Sequence, residues 1–316
     1  MTRARRIAGW LKWLVPLAAA FFIGRIIYGQ WAKVREFDWT WDPWFLAFSF
    51  AATSVWFFVR AWVWRRIAHQ FGTAIPYPEC VRIFALAELS RYVPGTVWQY
   101  LSRIYLAGRW GLPAAAAITA SLMDVLLLAL AAAPLVLWHI AEVFPLMERA
   151  QRILFGVFPF AAIALLQPAV LNALARVLLP RLRQPYLPIR FGFWELFGLW
   201  ASYLGLWISF GSGFALFARS LAPVGVSQGL ELMSNYAISW LTGLLTPFTP
   251  GGLVVREAIL GLLLGRMLPL GTALVVAVLS RLWLITLELF WAAVAQIYLR
   301  RSPPAMDAGA GEETRR

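Results

Sequence analysis

An arginine and a glutamate follow a Pro- and Gly-rich break inside a long apolar region. The stretch 246–258 reads TPFTPGGLVVREA, in which Arg256 and Glu257 come shortly after Gly251 and Gly252. Proline removes a backbone donor and glycine loosens a helix, so a continuous helix is expected to break here. In a membrane, broken backbone is tolerated only where protein or a water-lined cavity satisfies it, and an ionisable pair at that depth indicates a functional site.

A second stretch, earlier in the chain, has the same character. Residues 91–103 read RYVPGTVWQYLSR, which places Arg91 and Arg103 on either side of Gly95. A guanidinium group offers a fork of donors that matches phosphate and does not lose its charge. We therefore predict a functional site at the two breaks that includes Arg91, Arg103 and Arg256.

Each break is also expected to present the N-terminus of a helix. Helices that restart at Thr96 and Leu253 would direct free N–H groups and a favourable dipole at an anion. Glu257 is predicted to pair with an arginine, which limits the cost of the buried charge. A purely structural pair with Arg256 is the alternative.

Further polar residues lie within apolar stretches. Asp124 and Arg281 are 157 residues apart, and we predict that they form a mid-membrane ion pair, either structural or with a role in coupling. Gln99 and Asn235 are expected to line a polar groove, with ordinary buried hydrogen bonding as the alternative. Arg60 is expected to snorkel toward the membrane surface.

The remaining composition argues against several kinds of site. Cys80 is the only cysteine, and His69 and His139 are the only histidines. Cysteine metal clusters, disulfides and histidine-based triads are therefore not expected. The sequence has no G-x-x-x-x-G-K-[ST] motif, so energy from a bound nucleotide is not expected either. We expect no cofactor, no metal and no catalytic residues.

The hydrophobic content of 61% predicts an all-α polytopic membrane protein. Six apolar stretches are long enough to span a bilayer, namely Trp10–Tyr28, Trp44–Trp64, Ala114–Trp138, Ile153–Leu171, Phe193–Phe217 and Gly271–Tyr298. Residues 78–113 and 227–266 each hold two apolar arms that are too short to cross about 30 Å, so we predict two broken re-entrant hairpins. The net charge of +13 could indicate nucleic-acid binding. The alternation of basic loops instead favours a membrane protein with both termini in the cytoplasm.

The chain contains an internal repeat. A shift of 156 residues places Pro94 on Pro250 and Pro113 on Pro269, and each part reads span, span, broken hairpin, span. An odd number of crossings inverts the second part relative to the first, which is typical of secondary transporters. A chance alignment of Ala- and Leu-rich stretches is the alternative. The predicted division is a first membrane repeat at 1–150, a second at 151–301 and a disordered cytoplasmic tail at 302–316.

The motif at 250–258 resembles the PGGLGxREA signature of the lysylphosphatidylglycerol synthase transmembrane domain, or flippase-like, family. The stretch 91–103 is similar to the family's earlier R-x-x-PG…R pattern, and Arg281 resembles the arginine of its last core helix. The resemblance covers residues 6–301, with Val254 where the family usually has glycine. It implies a membrane domain that moves lipids between leaflets. For such a domain we expect Arg91, Arg103 and Arg256 to bind the lipid phosphate at the two breaks, and Glu257 to be able to compete with that phosphate. Bifunctional members continue into an aminoacyl-transferase domain, and the short tail of this chain leads us to expect a stand-alone membrane domain.

The leading hypothesis is a lipid flippase or scramblase of the bacterial inner membrane that is not an enzyme. Its ligand would be a phosphate-bearing lipid: a phospholipid, an aminoacyl-phospholipid or a polyprenyl-phosphate-linked sugar, with no nucleic acid. Two alternatives stay open. One is a non-transporting membrane partner of a lipid or glycan biosynthesis enzyme, and the other is a membrane-embedded lipid-modifying enzyme. Either a homo-oligomer or a complex with a biosynthetic enzyme is compatible with the sequence.

Overall fold

The computed structural model describes residues 21, 24–92, 98–143, 153, 157, 161–162, 164–246, 252 and 254–298, with the backbone alone at 140–143. In these ranges the chain forms α-helices joined by turns and one short 3-10 segment, without a β-strand. The predicted all-α class is therefore confirmed. The α-helices are α1 (Trp31–Glu36), α2 (Pro43–His69), α3 (Tyr77–Ser90), α4 (Trp98–Gly108), α5 (Ala114–Val143), α6 (Pro168–Arg181), α7 (Phe193–Leu221), α8 (Gly229–Leu244), α9 (Val255–Leu264) and α10 (Leu270–Tyr298).

Four of the described helices, α2, α5, α7 and α10, are long and apolar enough to cross a membrane. They coincide with four of the predicted spans, and the chain is a multi-pass membrane protein. The predicted span Trp10–Tyr28 lies largely outside the described residues. The predicted span Ile153–Leu171 is interrupted, because its described residues form a turn at 166–167 and the chain then continues into the separate helix α6.

The start of α2 shows how local sequence sets a helix boundary. Asp42 precedes Pro43, whose fixed backbone angle suits the first helical position. The Asp42 carboxylate accepts hydrogen bonds from the backbone N–H groups of Trp44 at 2.9 Å and Phe45 at 3.2 Å. These bonds satisfy two donors that otherwise have no partner at a helix N-terminus, so the helix begins at this point.

The short helices occur as two pairs, α3 with α4 and α8 with α9, and each pair flanks one of the sequence breaks. At 1.5 Å per residue they are roughly 15–24 Å long, which is less than the ~30 Å hydrocarbon thickness. The predicted short arms are therefore confirmed. The residues of the breaks at 93–97, 247–251 and 253, which include Gly95 and Gly251, lie outside the described residues. Re-entrance itself stays a prediction.

Helices α2 and α7 pack closely and antiparallel. The Ser49 hydroxyl donates to the Gly213 carbonyl at 2.7 Å, and the Ser209 hydroxyl donates to the Ala52 carbonyl at 2.8 Å. A β-carbon at Gly213 would lie 2.2 Å from the Thr53 hydroxyl oxygen. The backbones approach each other because glycine leaves this space, as is common between membrane helices.

The helix bounds follow the repeat read from the sequence. Adding 156 to the bounds of α4 gives 254–264, close to α9, and adding it to α5 gives 270–299, close to α10. Packing is reciprocal, since α3 contacts α10 while its counterpart α8 contacts α5. Reciprocal contacts of this kind are those that a two-fold axis produces. The antiparallel packing of α2 and α7 is consistent with two repeats of opposite orientation. The inverted orientation in the membrane and the division into repeats stay predictions.

Candidate functional site

Six charged side chains form what we call the paired network, consisting of Arg60, Glu88, Arg91, Arg103, Asp124 and Glu288. Five of them are buried, and the Arg91 side chain is 11% exposed. Arg60 on α2 donates to both Asp124 oxygens, from Nε at 3.2 Å and from Nη2 at 2.8 Å. Arg103 on α4 donates to Asp124 Oδ2 and to Glu88 Oε1, both at 2.8 Å. Arg60 Nη1 reaches the same Glu88 oxygen at 3.1 Å. Tyr203 on α7 adds a hydrogen bond to Asp124.

Arg91 extends this network to α10. Its Nη1 donates to Glu88 Oε2 at 2.9 Å, and its Nη2 forms an ion pair with Glu288. The Tyr92 hydroxyl donates to the other Glu288 oxygen at 2.7 Å. Three positive and three negative charges therefore balance among α2, α3, α4, α5 and α10. Loss of one member would leave a buried charge unpaired, so the network is suited to holding these helices together.

Two predictions about these residues are wrong. Arg60 does not snorkel, because its side chain is only 4% exposed and is fully engaged with two carboxylates. Asp124 does not pair with Arg281, because both of its oxygens are taken by Arg60, Arg103 and Tyr203. The side chain that meets the carboxylate is decided by the rotation of several helices about their axes, which sequence offset does not reveal.

Arg256 lies at the start of α9, immediately after the second break. Its Nη2 donates to the Tyr236 hydroxyl on α8 at 2.8 Å, and its guanidinium lies 5.3 Å from the centre of the same ring. The Ser239 hydroxyl donates to the Arg256 carbonyl at 3.0 Å. Gly243 allows this approach, since a β-carbon there would lie 2.4 Å from the Arg256 side chain. The second hairpin is thus packed around Arg256.

Glu257 caps α9. Its Oε2 accepts a hydrogen bond from the Val254 backbone N–H at 2.5 Å, which satisfies one donor at the helix N-terminus. One of the N–H groups expected to be free at this break is therefore bound within the fold. The neighbouring backbone is tight: Gly252 has a φ of +70°, and a β-carbon on it would lie 2.8 Å from the Gly243 backbone.

Arg281 on α10 differs from the other arginines of this region in its hydrogen bonding. It is 7% exposed, yet none of its three guanidinium nitrogens has a hydrogen-bond partner among the described residues. The nearest carboxylate oxygen, Glu257 Oε1, is 3.7 Å from Arg281 Nε, within ion-pair range but beyond a hydrogen bond. The Tyr92 ring lies below the guanidinium with its centre 5.3 Å away. Arg281 therefore retains its full capacity to donate to an anion.

A small polar cavity adjoins this group, between α8, α9 and α10. Its volume is about 10 Å³, close to the minimum of roughly 10–15 Å³ that one water molecule needs. Its lining residues are Tyr236, Ser239, Arg256, Glu257, Leu260, Ala277, Ser280 and Arg281. Arg256, Glu257 and Arg281 thus share one cavity, and in this conformation the cavity is too small for a phosphate group.

The other predicted site residues are distributed differently. Arg91 and Arg103 are bound to carboxylates, so binding a phosphate would require them to exchange partners. Asn235 is fully buried, and both ends of its amide lack a partner within the described part of the chain. Gln99 is half-buried near the start of α4. Direct ligand binding by any of the predicted site residues stays a prediction.

Sequence reasoning did not single out Glu288, Tyr203 or Tyr236. Glu288 could have been found, because an acidic residue in the middle of an apolar span indicates a buried partner. The tyrosines carry no such signal. A tyrosine within a membrane helix is unremarkable in sequence, and its role here depends on which carboxylate or guanidinium the tertiary fold brings to its hydroxyl.

Comparison with known proteins gives a match to a protein family. The family model described as the lysylphosphatidylglycerol synthase TM region matches residues 11–289. The chain belongs to this family. No curated protein and no solved structure matches the chain. Membership in the lysylphosphatidylglycerol synthase TM family confirms the family that the sequence resembles and supports a lipid-related function in the membrane.

Val254, where the resemblance implies a glycine, has an unusual backbone conformation. This residue has a φ of +72°, a left-handed conformation that glycine adopts freely and that is strained for a β-branched side chain. A glycine would follow this backbone path into α9 without that strain. In this chain Val254 keeps the same path, held by the Glu257 cap, at a cost in local strain.

Proposed function

We propose that this protein moves a phosphate-bearing lipid between membrane leaflets and that Arg281, with Arg256, binds the head group. The observation that carries the proposal is the buried Arg281 guanidinium, whose nitrogens have no hydrogen-bond partner in the described chain. Burying such a group is costly unless a ligand compensates it. A lipid phosphate would supply charge-assisted, bidentate hydrogen bonds, and these are the strongest that arginine makes.

The surroundings of Arg281 favour an anion over a cation or a neutral ligand. Arg256 contributes a second positive charge to the same cavity, against the single carboxylate of Glu257. Hydroxyl groups of Tyr236, Ser239 and Ser280 add polar contacts at its wall. The Ser239 and Ser280 hydroxyls donate to backbone carbonyls, and the Tyr236 hydroxyl accepts from Arg256, so none of the three is hydrogen-bonded to a general base among the described residues. For this reason we propose a transporter and not an enzyme.

Transport, as opposed to static binding, is supported by the architecture. Broken helices beside a buried binding group and an antiparallel pair of equivalent helices are features of transporters with inverted repeats. A cavity of about 10 Å³ excludes a phosphate group, so on this proposal binding requires an opening of α8 and α9 relative to α10. We place the protein in the bacterial inner membrane with both termini in the cytoplasm, as its basic loops favour.

The test is lipid movement by purified protein in liposomes, followed by dithionite quenching of a fluorescent phospholipid or, in parallel, of a labelled polyprenyl-phosphate lipid. We expect wild-type protein to move one of these lipids and Arg281→Gln to lose at least about tenfold in rate, since one charge-assisted contact exceeds ~1.4 kcal/mol. Arg266→Gln is the matched control, because Arg266 also follows the second hairpin but its side chain is 43% exposed and 3.8 Å from Glu231.

The outcomes separate the alternatives. Movement lost in Arg281→Gln but kept in Arg266→Gln supports the proposal. Wild-type rates in Arg281→Gln would refute the site. Absence of movement of either lipid by the wild type would refute transport and favour the alternative in which the protein supports a biosynthetic enzyme.

A further inference from the structure

We infer that the buried centre selects a lipid group with a single negative charge, and that Glu257 sets this selection. The inference deepens the proposed function and rests on it for the location of the head group. It concerns the number of charges on the ligand, which neither the membrane location nor the fold determines.

The charges of the buried centre do not cancel. The connected buried centre contains five arginines and four carboxylates, a net charge of +1, and its members are Arg60, Arg91, Arg103, Arg256, Arg281, Glu88, Asp124, Glu257 and Glu288. The neighbouring breaks at 93–97 and 247–253 contain no ionisable residue in the sequence. They therefore cannot change the count.

The excess charge is localised. The paired network is neutral by itself, with three arginines bound to three carboxylates. The remaining members are Arg256, Arg281 and Glu257, which together carry +1 and share one cavity. Arg281 is the member without a hydrogen-bond partner in the described structure. A ligand anion would thus meet one uncompensated positive charge.

The buried centre is therefore expected to prefer ligands according to their charge. A bound phosphodiester carries one negative charge and makes the centre neutral. A terminal phosphate monoester carries about −1.5 to −2 at neutral pH and leaves the centre negative. An unbalanced buried charge is costly in a medium of low dielectric constant, so the singly charged group binds better.

Glu257 is the residue that fixes this balance. One of its oxygens is held by the Val254 N–H at 2.5 Å, and the other lies 3.7 Å from Arg281. Replacement by glutamine keeps an oxygen that can accept from Val254 and removes the negative charge. The centre then carries +2, and its preference is expected to move toward the doubly charged ligand.

The experiment compares two short-chain lipids that differ by one methyl group. Dioctanoyl phosphatidylmethanol is a phosphodiester with one charge, and dioctanoyl phosphatidic acid at pH 8 carries nearly two. Binding to the detergent-purified full chain is measured by tryptophan fluorescence titration. We expect wild-type protein to prefer phosphatidylmethanol and Glu257→Gln to shift the affinity ratio toward phosphatidic acid by about tenfold or more, because a unit charge ~4 Å away acts strongly in a partly buried site. Glu231→Gln removes an equal charge at a side chain that is 20% exposed, and it is expected to leave the ratio unchanged.

Each outcome decides the inference. An equal ratio in wild type and Glu257→Gln, or an equal shift in Glu231→Gln, would overturn it. If Glu257→Gln does not fold, a series of wild-type titrations from pH 5.5 to 8 replaces it, because phosphatidic acid gains its second charge with a pKa near ~6. Wild-type affinity for phosphatidic acid relative to phosphatidylmethanol must then fall as the pH rises, and a constant ratio overturns the inference. Failure of lipid movement with the charge preference intact would refute transport alone.

Discussion

Replacement of Asp124 by asparagine should distinguish the arginines of the paired network from Arg281, which we propose binds the head group. Asp124 accepts two hydrogen bonds from Arg60, one from Arg103 and one from Tyr203, and its side chain is 0% exposed. Asparagine keeps the shape but removes the charge, so two buried guanidinium groups would share the single carboxylate of Glu88. Breaking a buried ion pair by removing one partner costs about 3–5 kcal/mol. We expect Asp124→Asn to lose about that much free energy of unfolding.

Arg281→Gln provides the comparison within the same centre. Arg281 has no hydrogen-bond partner in the described residues, so its removal takes away a desolvation cost rather than a satisfied pair. We expect the free energy of unfolding of Arg281→Gln to be unchanged or raised while lipid movement is lost.

Combining Arg103→Gln with Asp124→Asn restores the charge balance of the paired network. The double mutant should therefore lose less free energy of unfolding than the sum of the losses in the two single mutants.

The assay is reversible unfolding of the purified protein in mixed micelles, followed by tryptophan fluorescence, with lipid movement measured on the same preparations. A loss below about 1 kcal/mol in Asp124→Asn would refute the structural role of the paired network, because that value is typical of exposed ion pairs. A large loss in Arg281→Gln would show that Arg281 is satisfied within the fold and would contradict the reasoning for the binding site.

Two further substitutions test the second hairpin. Gly243→Ala places a methyl group 2.4 Å from the Arg256 side chain, so we expect slower lipid movement in the liposome assay with helical content by circular dichroism retained; unchanged transport would contradict the close packing. Val254→Gly places a glycine at a φ of +72°, where a β-branched residue is strained. Relief of about 1 kcal/mol of strain is partly offset by the larger backbone entropy of glycine in the unfolded chain, so we expect a small rise in the thermal midpoint. A lower midpoint for Val254→Gly would show that Val254 packs favourably in this conformation.

The membrane fold could be predicted from sequence because its signals are local. Continuous apolar stretches identify α2, α5, α7 and α10, since a bilayer-spanning helix must be apolar along its length. Proline and glycine placed the two breaks between short helices, because they act on the backbone of their own segment. The Pro- and Gly-rich motif at residues 250–258 indicated the family, and the family model that matches residues 11–289 confirms it.

The partners of the buried charges could not be obtained in this way, because they depend on contacts far apart in sequence. Arg60 binds Asp124 across 64 residues, and Tyr92 binds Glu288 across 196. A helix can present a given side chain to any neighbour, depending on its rotation and crossing angle, and these are set by the packing of all the helices together. Sequence alone determined that this protein spans a membrane with arginines beside two broken helices. Tertiary structure decided that Arg60, Arg91 and Arg103 are paired with carboxylates while Arg281 has no hydrogen-bond partner among the described residues, because pairing depends on the three-dimensional positions of charges.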